Sequence, residues 1–346
     1  MANFIWIPAF VLLLGILVLF HELGHFTVAK LLKIRVDEFA FGFGPKWIRL
    51  FKRGDTEYTI HPFPIGGFVK LAGENPNEPP VPNGFTSRPW YQRFLVYLAG
   101  PLASFLLAYI VFCSLGMLYG VPNVTNQVQS VEKGSRAEAA GLKVGDKIVA
   151  VNGKAATSGE DVVNVIHSSP GKQVTLSVNR NGSVILIKAT PIPGKLGKNV
   201  GLLGFTPKIE MRREGVIESA KNGTKETTRF VGMMLGAIFS KDVAKNVGGP
   251  IAIADATRES VRRGMDYFIF LIGVLSLSLG VFNLMPIPVV DGGQMVLAVM
   301  EGLNGRRLSQ KTIEIAQFIG VATIALLLIT IMYLDLHRLF THQIFQ

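Results

Sequence analysis

His21-Glu22-Leu23-Gly24-His25 gathers two imidazoles and a carboxylate within five residues. On a helix, positions i and i+4 share a face, so both imidazoles can reach one ion. Zinc takes imidazole nitrogen readily, and a catalytic zinc keeps one position for water. It brings the pKa of that water down toward ~7. Glu22 stands beside the histidine face, where a base is useful. Residue frequencies alone produce such a pattern in roughly one chain in a hundred of this length, so the surroundings must decide. Here they are apolar. An ionisable group at membrane depth costs about 2.5–3.5 kcal/mol and is seldom idle, and the nearest basic residue, Lys30, is more than a turn away.

Two histidines do not complete a catalytic zinc site; a third protein ligand is usual. The candidate is Asp291, in Asn283-Leu284-Met285-Pro286-Ile287-Pro288-Val289-Val290-Asp291-Gly292-Gly293. The prolines remove donors and the glycines permit unusual dihedrals, so the helix before Asp291 should break there. An Asp in broken helix at membrane depth suits a metal. It also suits capping of the next helix, and the residues alone leave both readings open. The single cysteine, Cys113, excludes an internal disulfide and a cysteine zinc cluster. His61, His167, His337 and His342 have no partner at metal spacing.

These residues need elements to hold them. The chain has 346 residues, 49% hydrophobic and 17% charged, with a mean hydropathy of +0.38. Apolar runs at 4–32, 94–118, 267–285 and 315–334 are each near the ~20 residues a membrane-crossing helix needs. The first run is expected to be retained rather than cleaved, since residues 1–8 carry no basic side chain. The net charge of +11 does not imply nucleic acid, because basic residues beside membrane spans chiefly set orientation. Lys30, Lys33, Arg35 and Lys46 follow the first run, Arg88 and Arg93 precede the second, and Arg306, Arg307 and Lys311 link the last two. Those links are expected on the cytoplasmic side, with both termini and the long polar segment outside. Span one then carries His21 and His25 in its inner half, and Asp291 emerges from span three at a similar depth.

Between the first two spans, 39–47, 57–60 and 67–71 read as short strands of an element at the inner membrane face, and 74–89 as a surface loop. Gly100-Pro101 within span two reads equally as a kink or as a close-approach point. Residues 124–208 read as one compact α+β domain with two helices and a hairpin turn at 179–182. Stretches 216–238 and 251–263 mix apolar and charged positions and read as helices along the outer face.

Taken together, these residues resemble the site-2 protease family of intramembrane zinc metalloproteases, in its regulator-of-sigma-E protease type. His21-Glu22-x-x-His25 matches the first family motif, and Asn283-x-x-Pro286-x-Pro288-x-x-Asp291-Gly292-Gly293 matches the second. Gly100-Pro101 matches a third, which usually ends in Asn three residues after the Pro; Ser104 stands there in this chain. The run from Ser135 to Gly153 resembles bacterial PDZ domains. The resemblance implies that His21, His25 and Asp291 bind Zn2+, that Glu22 is general base and then acid, and that Asn283 holds substrate or the oxyanion. It implies that Gly66, Gly67, Phe68, Val69 and Lys70 form an edge strand pairing with extended substrate.

The expected fold is therefore a membrane protein with four transmembrane α-helices, a cytoplasmic-side membrane-associated β-element and one extracytoplasmic PDZ (α+β) domain. The expected division is 1–120, 121–208 for the PDZ domain, 209–265 for the outer-face helices, and 266–346. The expected activity is cleavage of single-pass membrane proteins in a bacterial cytoplasmic membrane, after the substrate helix unwinds. Anti-sigma factors and remnant signal peptides are family-level substrates. Partners are those substrates, the lipid bilayer, and a peptide or substrate ectodomain at the PDZ domain, with no nucleic acid. Two other classes share part of the pattern: a non-catalytic PDZ-containing adaptor, which has no use for Glu22, and a metal-ion transporter, which needs no base beside its ligands.

Overall fold

The computed structural model describes residues 4–74, 81–194, 197–238, 240 and 248–340. It divides into two units, residues 1–116 with 215–346, and residues 117–214. Residues 75–80 of the expected surface loop, and His342, lie outside the described residues.

The first unit begins with α1 (Trp6–Leu31), a 26-residue helix carrying His21 and His25 on its buried side. Four strands follow: β1 (Val36–Phe43), β2 (Ile48–Arg53), β3 (Thr56–Ile60) and β4 (Phe63–Leu71). They form one sheet in the order β2-β3-β1-β4, with β1 and β3 parallel and the other pairs antiparallel. The sheet leans on the far half of α1, where the Phe26 and Phe39 rings meet at 5.0 Å. Ala29, Ile34, Val36, Leu71, Phe85 and Val96 close the core beneath. β4 is an edge strand.

Next comes α2 (Trp90–Leu118), 29 residues long with Pro101 inside it. The second unit follows: β5 (Val121–Val131), α3 (Arg136–Ala139), β6 (Lys147–Val151), β7 (Lys154–Ala155), α4 (Gly159–His167), β8 (Val174–Arg180), β9 (Ser183–Ala189), β10 (Ile192–Gly194), β11 (Gly197–Leu202) and β12 (Phe205–Arg212). Its main sheet runs β12-β5-β6-β8-β9, with β7 beside β6, and β10 and β11 form a separate pair. Val128, Ile148, Val162, Ile166, Leu176 and Val178 are buried in one core. The boundary expected at 208 falls inside β12, which pairs with β5 as far as Arg212 and Val121. A cavity of about 930 Å³ is lined by Val163, Ile166 and His167 of α4 and by residues 201–206 and 130–136.

The chain returns to the first unit with α5 (Val216–Ile238), α6 (Pro250–Arg263), α7 (Met265–Asn283), α8 (Asp291–Asn304) and α9 (Gln310–Phe340). Helices α1, α2, α7 and α9 are long and apolar enough to cross a membrane. The shortest, α7, has 19 residues, about 28 Å at 1.5 Å per residue, which matches a hydrocarbon core near 30 Å. The apolar residues of α5 and α6, among them Phe230, Met234 and Ile253, join the cluster formed by the spans. Phe230 stacks on Phe112 of α2 at 5.6 Å.

α2 is the common support. Gly24 lets α1 approach it so closely that a β-carbon there would overlap the Ala99 carbonyl and stand 2.7 Å from Ala103 Cβ. On α7, Gly273, Ser276 and Gly280 are three and four residues apart, hence on one face. β-Carbons at the two glycines would stand 2.8 Å from Phe112 and Phe105 of α2. Small residues of this kind bring membrane helices together, since lipid offers no hydrophobic drive between them. One carboxylate within a span also has a structural explanation. Asp335 of α9 is fully buried and accepts the Gly249 and Ala252 amides at 3.2 Å each. It caps α6, whose own N-cap residue, Gly249, has no side chain to do so.

In the second unit Asp146 is a buried charge. Its carboxylate accepts Nε and Nη2 of Arg180 at 2.7 Å each and the Lys143 amide at 2.8 Å. Burial pushes its pKa up, but Arg180 and the amide outweigh that and hold it below the ordinary value. A depressed folded-state pKa stabilises above the unfolded value near ~3.9 and stops doing so as pH falls through the folded one. Asp146→Asn should therefore destabilise this unit by about 2–3 kcal/mol at pH 7. Hydrogen exchange across residues 121–212 should register that difference and its shrinkage below about pH 4.

Candidate metal centre

α1 and α2 face each other through residues at matched four-residue steps. His25 Nδ1 donates to the Val96 carbonyl at 2.8 Å, and His21 Nδ1 lies 3.1 Å from Ser104 Oγ. Val96, Gly100 and Ser104 are four apart, so they line one side of α2. A carbonyl can only accept, so His25 carries its proton on Nδ1 and its Nε2 is a bare lone pair. Nε2 of His25 and Nε2 of His21 are 3.3 Å apart.

Asp291 comes to the same point. Among the prolines, Pro286 cannot donate and the chain turns; Gly292 and Gly293 then fold against the carbonyls of Leu284, Met285 and Ile287, where a β-carbon would overlap them. α8 starts at Asp291, and its N-cap residue is Val290 without a side-chain cap. Asp291 Oδ2 is 3.0 Å from His21 Nε2, and Oδ1 is 3.4 Å from His25 Nε2. Both histidines are under one-tenth exposed. Asp291 is thus the first residue of a helix and also a member of this trio.

These atoms fit a metal ion. Oδ2 of Asp291 is buried with no hydrogen-bond partner, and the His25 proton points away on Nδ1. A tetrahedral zinc with bonds of about 2.0–2.1 Å has ligand atoms about 3.3 Å apart, close to the 3.3 Å between the two Nε2 atoms and the 3.0 and 3.4 Å from them to Oδ2 and Oδ1 of Asp291. The space is kept by Gly100: a β-carbon there would overlap His25 Nε2 and stand 2.8 Å from His21 Nε2. Among the described residues, this trio is the group of His, Cys, Asp and Glu side chains able to share an ion.

Glu22 is half-buried beside the trio. Its Oε2 accepts the Val69 amide of β4 at 3.1 Å, so the sheet orients it. Strands alternate the direction of their backbone groups, so Gly67 faces the same free edge as Val69, while Phe68 faces Ala40 of β1. Gly66 and Gly67 are buried, and Lys70 is exposed. Asn283 ends α7, and its Nδ2 donates to the Leu279 carbonyl of its own helix at 2.9 Å. The other described histidines stand apart. His61 is buried in the sheet between Gly44 O, Thr59 and Glu38, His167 is on α4, and His337 lies against Tyr333. Burial raises the pKa of Glu38, but hydrogen bonds with Thr59 and His61 and the Lys46 charge bring it below the ordinary value.

Sequence reasoning missed the Val96 carbonyl, the Val69 amide and the Ser104 contact. The first two are backbone groups with no side-chain signature. Ser104 was legible as the residue standing where the third family motif usually has Asn, but its partner was not.

Comparison with known proteins follows the same lines. The family model for peptidase family M50 matches residues 9–327. A putative zinc metalloprotease of Clostridium acetobutylicum is 32% identical over 329 residues, 94% of this chain and 95% of that protein. The regulator of sigma-W protease RasP of Bacillus subtilis is 28% identical, covering 96% of this chain and 98% of its own. The solved PDZ domain of an SdrC-like protein from Listeria monocytogenes is 25% identical and covers 25% of this chain and 90% of that domain, with a TM-score of 0.22.

Purified protein should carry one zinc per chain. Asp291→Ala should weaken zinc binding by more than about 100-fold, beyond the 10–100-fold typical of an outer partner. Gly100→Ala should do the same by filling the metal position. Metal analysis after dialysis against a chelator reads both, and unchanged zinc in either variant would contradict the arrangement.

Proposed function

The chain belongs to peptidase family M50 and is an intramembrane zinc metalloprotease; from that premise we propose that His21, His25 and Asp291 hold the zinc and that Glu22 moves the proton. The observation that carries this reading is the convergence of ligand atoms of His21, His25 and Asp291 beside Gly100. When bound, zinc polarises the scissile carbonyl and lowers the pKa of water.

The residues of the chain do the rest. Glu22 takes a proton from the attacking water and delivers it to the leaving amine. The Val69 amide fixes one carboxylate oxygen of Glu22 and leaves the other to work. A substrate helix must unwind first, because an intact helix hides its peptide bonds. The free edge of β4, from Gly66 to Lys70, then receives the unwound stretch by backbone pairing, which demands little of its sequence. Asn283 gives one N–H of its amide to the Leu279 carbonyl and keeps the second to steady the oxyanion.

Sidedness follows from charge. Residues beside the basic links meet at one end of the bundle: Arg93 pairs with Glu301, and Arg307 donates to the Thr86 carbonyl. This end is cytoplasmic, the termini and second unit are outside, and water reaches the site from the inner side. The second unit is a PDZ domain, a reading supported by its sequence run and by strands and helices in the matching places. Its cavity between α4 and residues 201–206 suits an extended peptide or part of a substrate ectodomain. By analogy with the sigma-W regulator protease, an anti-sigma factor is a fitting substrate class, and remnant signal peptides are another.

Glu22→Gln keeps the shape of the side chain and removes the base. It should retain zinc and lower cleavage of a tagged single-pass substrate by at least about 100-fold. Equal cleavage by the variant, followed by gel shift of the tagged product, would refute the assignment.

A further inference from the structure

Both imidazoles of the metal trio give their Nδ1 side to α2, but their partners differ in kind. His25 faces the Val96 carbonyl at 2.8 Å, which accepts and cannot donate. Its tautomer is forced. His21 faces the Ser104 hydroxyl at 3.1 Å, which can do either. If the hydroxyl donated to Nδ1, the neutral ring would carry its proton on Nε2, and that proton would occupy the metal side. If the hydroxyl accepts from Nδ1–H, Nε2 is bare. The second arrangement alone makes His21 a ligand.

Ser104 is fully buried, and so is Ser276 of α7. Ser276 Oγ donates to the Ser104 carbonyl at 2.7 Å. A buried hydroxyl without a partner is costly, so each serine has reason to stay where it is. The result is a polar line from His21 on α1, through Ser104 on α2, to Ser276 on the helix that leads to Asp291. Ser276 sits between Gly273 and Gly280, the two close-approach points of α7 on α2. Its hydrogen bond therefore fixes the register of α7 against the same residue that holds His21.

We propose that Ser104 is a positioning residue of the zinc centre, whose hydroxyl oxygen accepts His21 Nδ1–H, keeps Nε2 free for the ion and fixes the ring at that depth. It touches neither substrate nor zinc and acts through His21. The inference rests on the zinc assignment above.

The test is a zinc dissociation constant by chelator competition, on the full chain in lipid nanodiscs, with the melting temperature of the metal-free protein as the control for fold. Ser104→Ala should weaken zinc binding by about 10–100-fold at a nearly unchanged metal-free melting temperature. Ser104→Thr, which keeps the oxygen, should restore most of the affinity. A serine that merely packed the helices would lower the melting temperature and leave zinc affinity alone. Wild-type zinc affinity in Ser104→Ala overturns the proposal, as does equal weakening in the Thr variant. Should Ser104→Ala fail to accumulate, Ser104→Gly carries the same expectation and the same refutation. His21→Ala separates the two levels: if it keeps zinc, the metal assignment itself fails; if it loses zinc while Ser104→Ala does not, this inference alone fails.

Discussion

The Nε2 atoms of His21 and His25 lie 3.3 Å apart, and the two carboxylate oxygens of Asp291 lie 3.0 and 3.4 Å from them in turn. In a dry interior that convergence is repulsive unless a cation sits among the lone pairs. Much else in the first unit follows from it. His25 turns its Nδ1 proton outward onto the Val96 carbonyl of α2, and His21 Nδ1 faces Ser104 there. Position 100 must be glycine, because a β-carbon would overlap His25 Nε2 and crowd His21 Nε2. The chain after α7 must bend sharply enough to return Asp291 to that point, and Gly292 and Gly293 permit the bend by lying against carbonyls that leave no room for a side chain.

The same constraint explains why α2 is the spine of the bundle. It receives α1 through Gly24 and α7 through Gly273 and Gly280, and it supplies the partner of each imidazole. Metal ligands on two separate helices can share an ion only if both helices are held in register, and close small-residue contacts hold register better than long side chains do. The sheet adds the remaining part. Its edge strand presents a backbone amide to Glu22, so the base is oriented by the strand proposed to carry substrate.

How much of this was legible in the sequence depends on how local the signal is. The His21–His25 spacing is read within one helical turn. The bend before Asp291 is written in its prolines and glycines, and the four apolar runs mark the four long helices. The partners of those residues are tertiary and often backbone, so Val96 and Val69 left no trace. The mixed apolar and charged positions of 216–238 read as a helix along a surface, and its apolar residues Phe230 and Met234 pack against the cluster of the spans. The expected edge of the second unit at 208 falls within β12, where Pro207 sits at a register shift on an edge strand that tolerates its missing donor. Asn283 is another limit. Its place in a motif says nothing of its rotamer, which gives one amide N–H to its own helix.

X-ray absorption at the zinc edge tests the central claim most directly, because it reads the ligand atoms themselves. The account predicts a nitrogen and oxygen shell at about 2.0–2.1 Å with the scattering pattern of two imidazoles, and no sulfur at about 2.3 Å. A sulfur shell, pointing to Cys113, or a fit requiring three imidazoles would contradict a centre built from His21, His25 and Asp291.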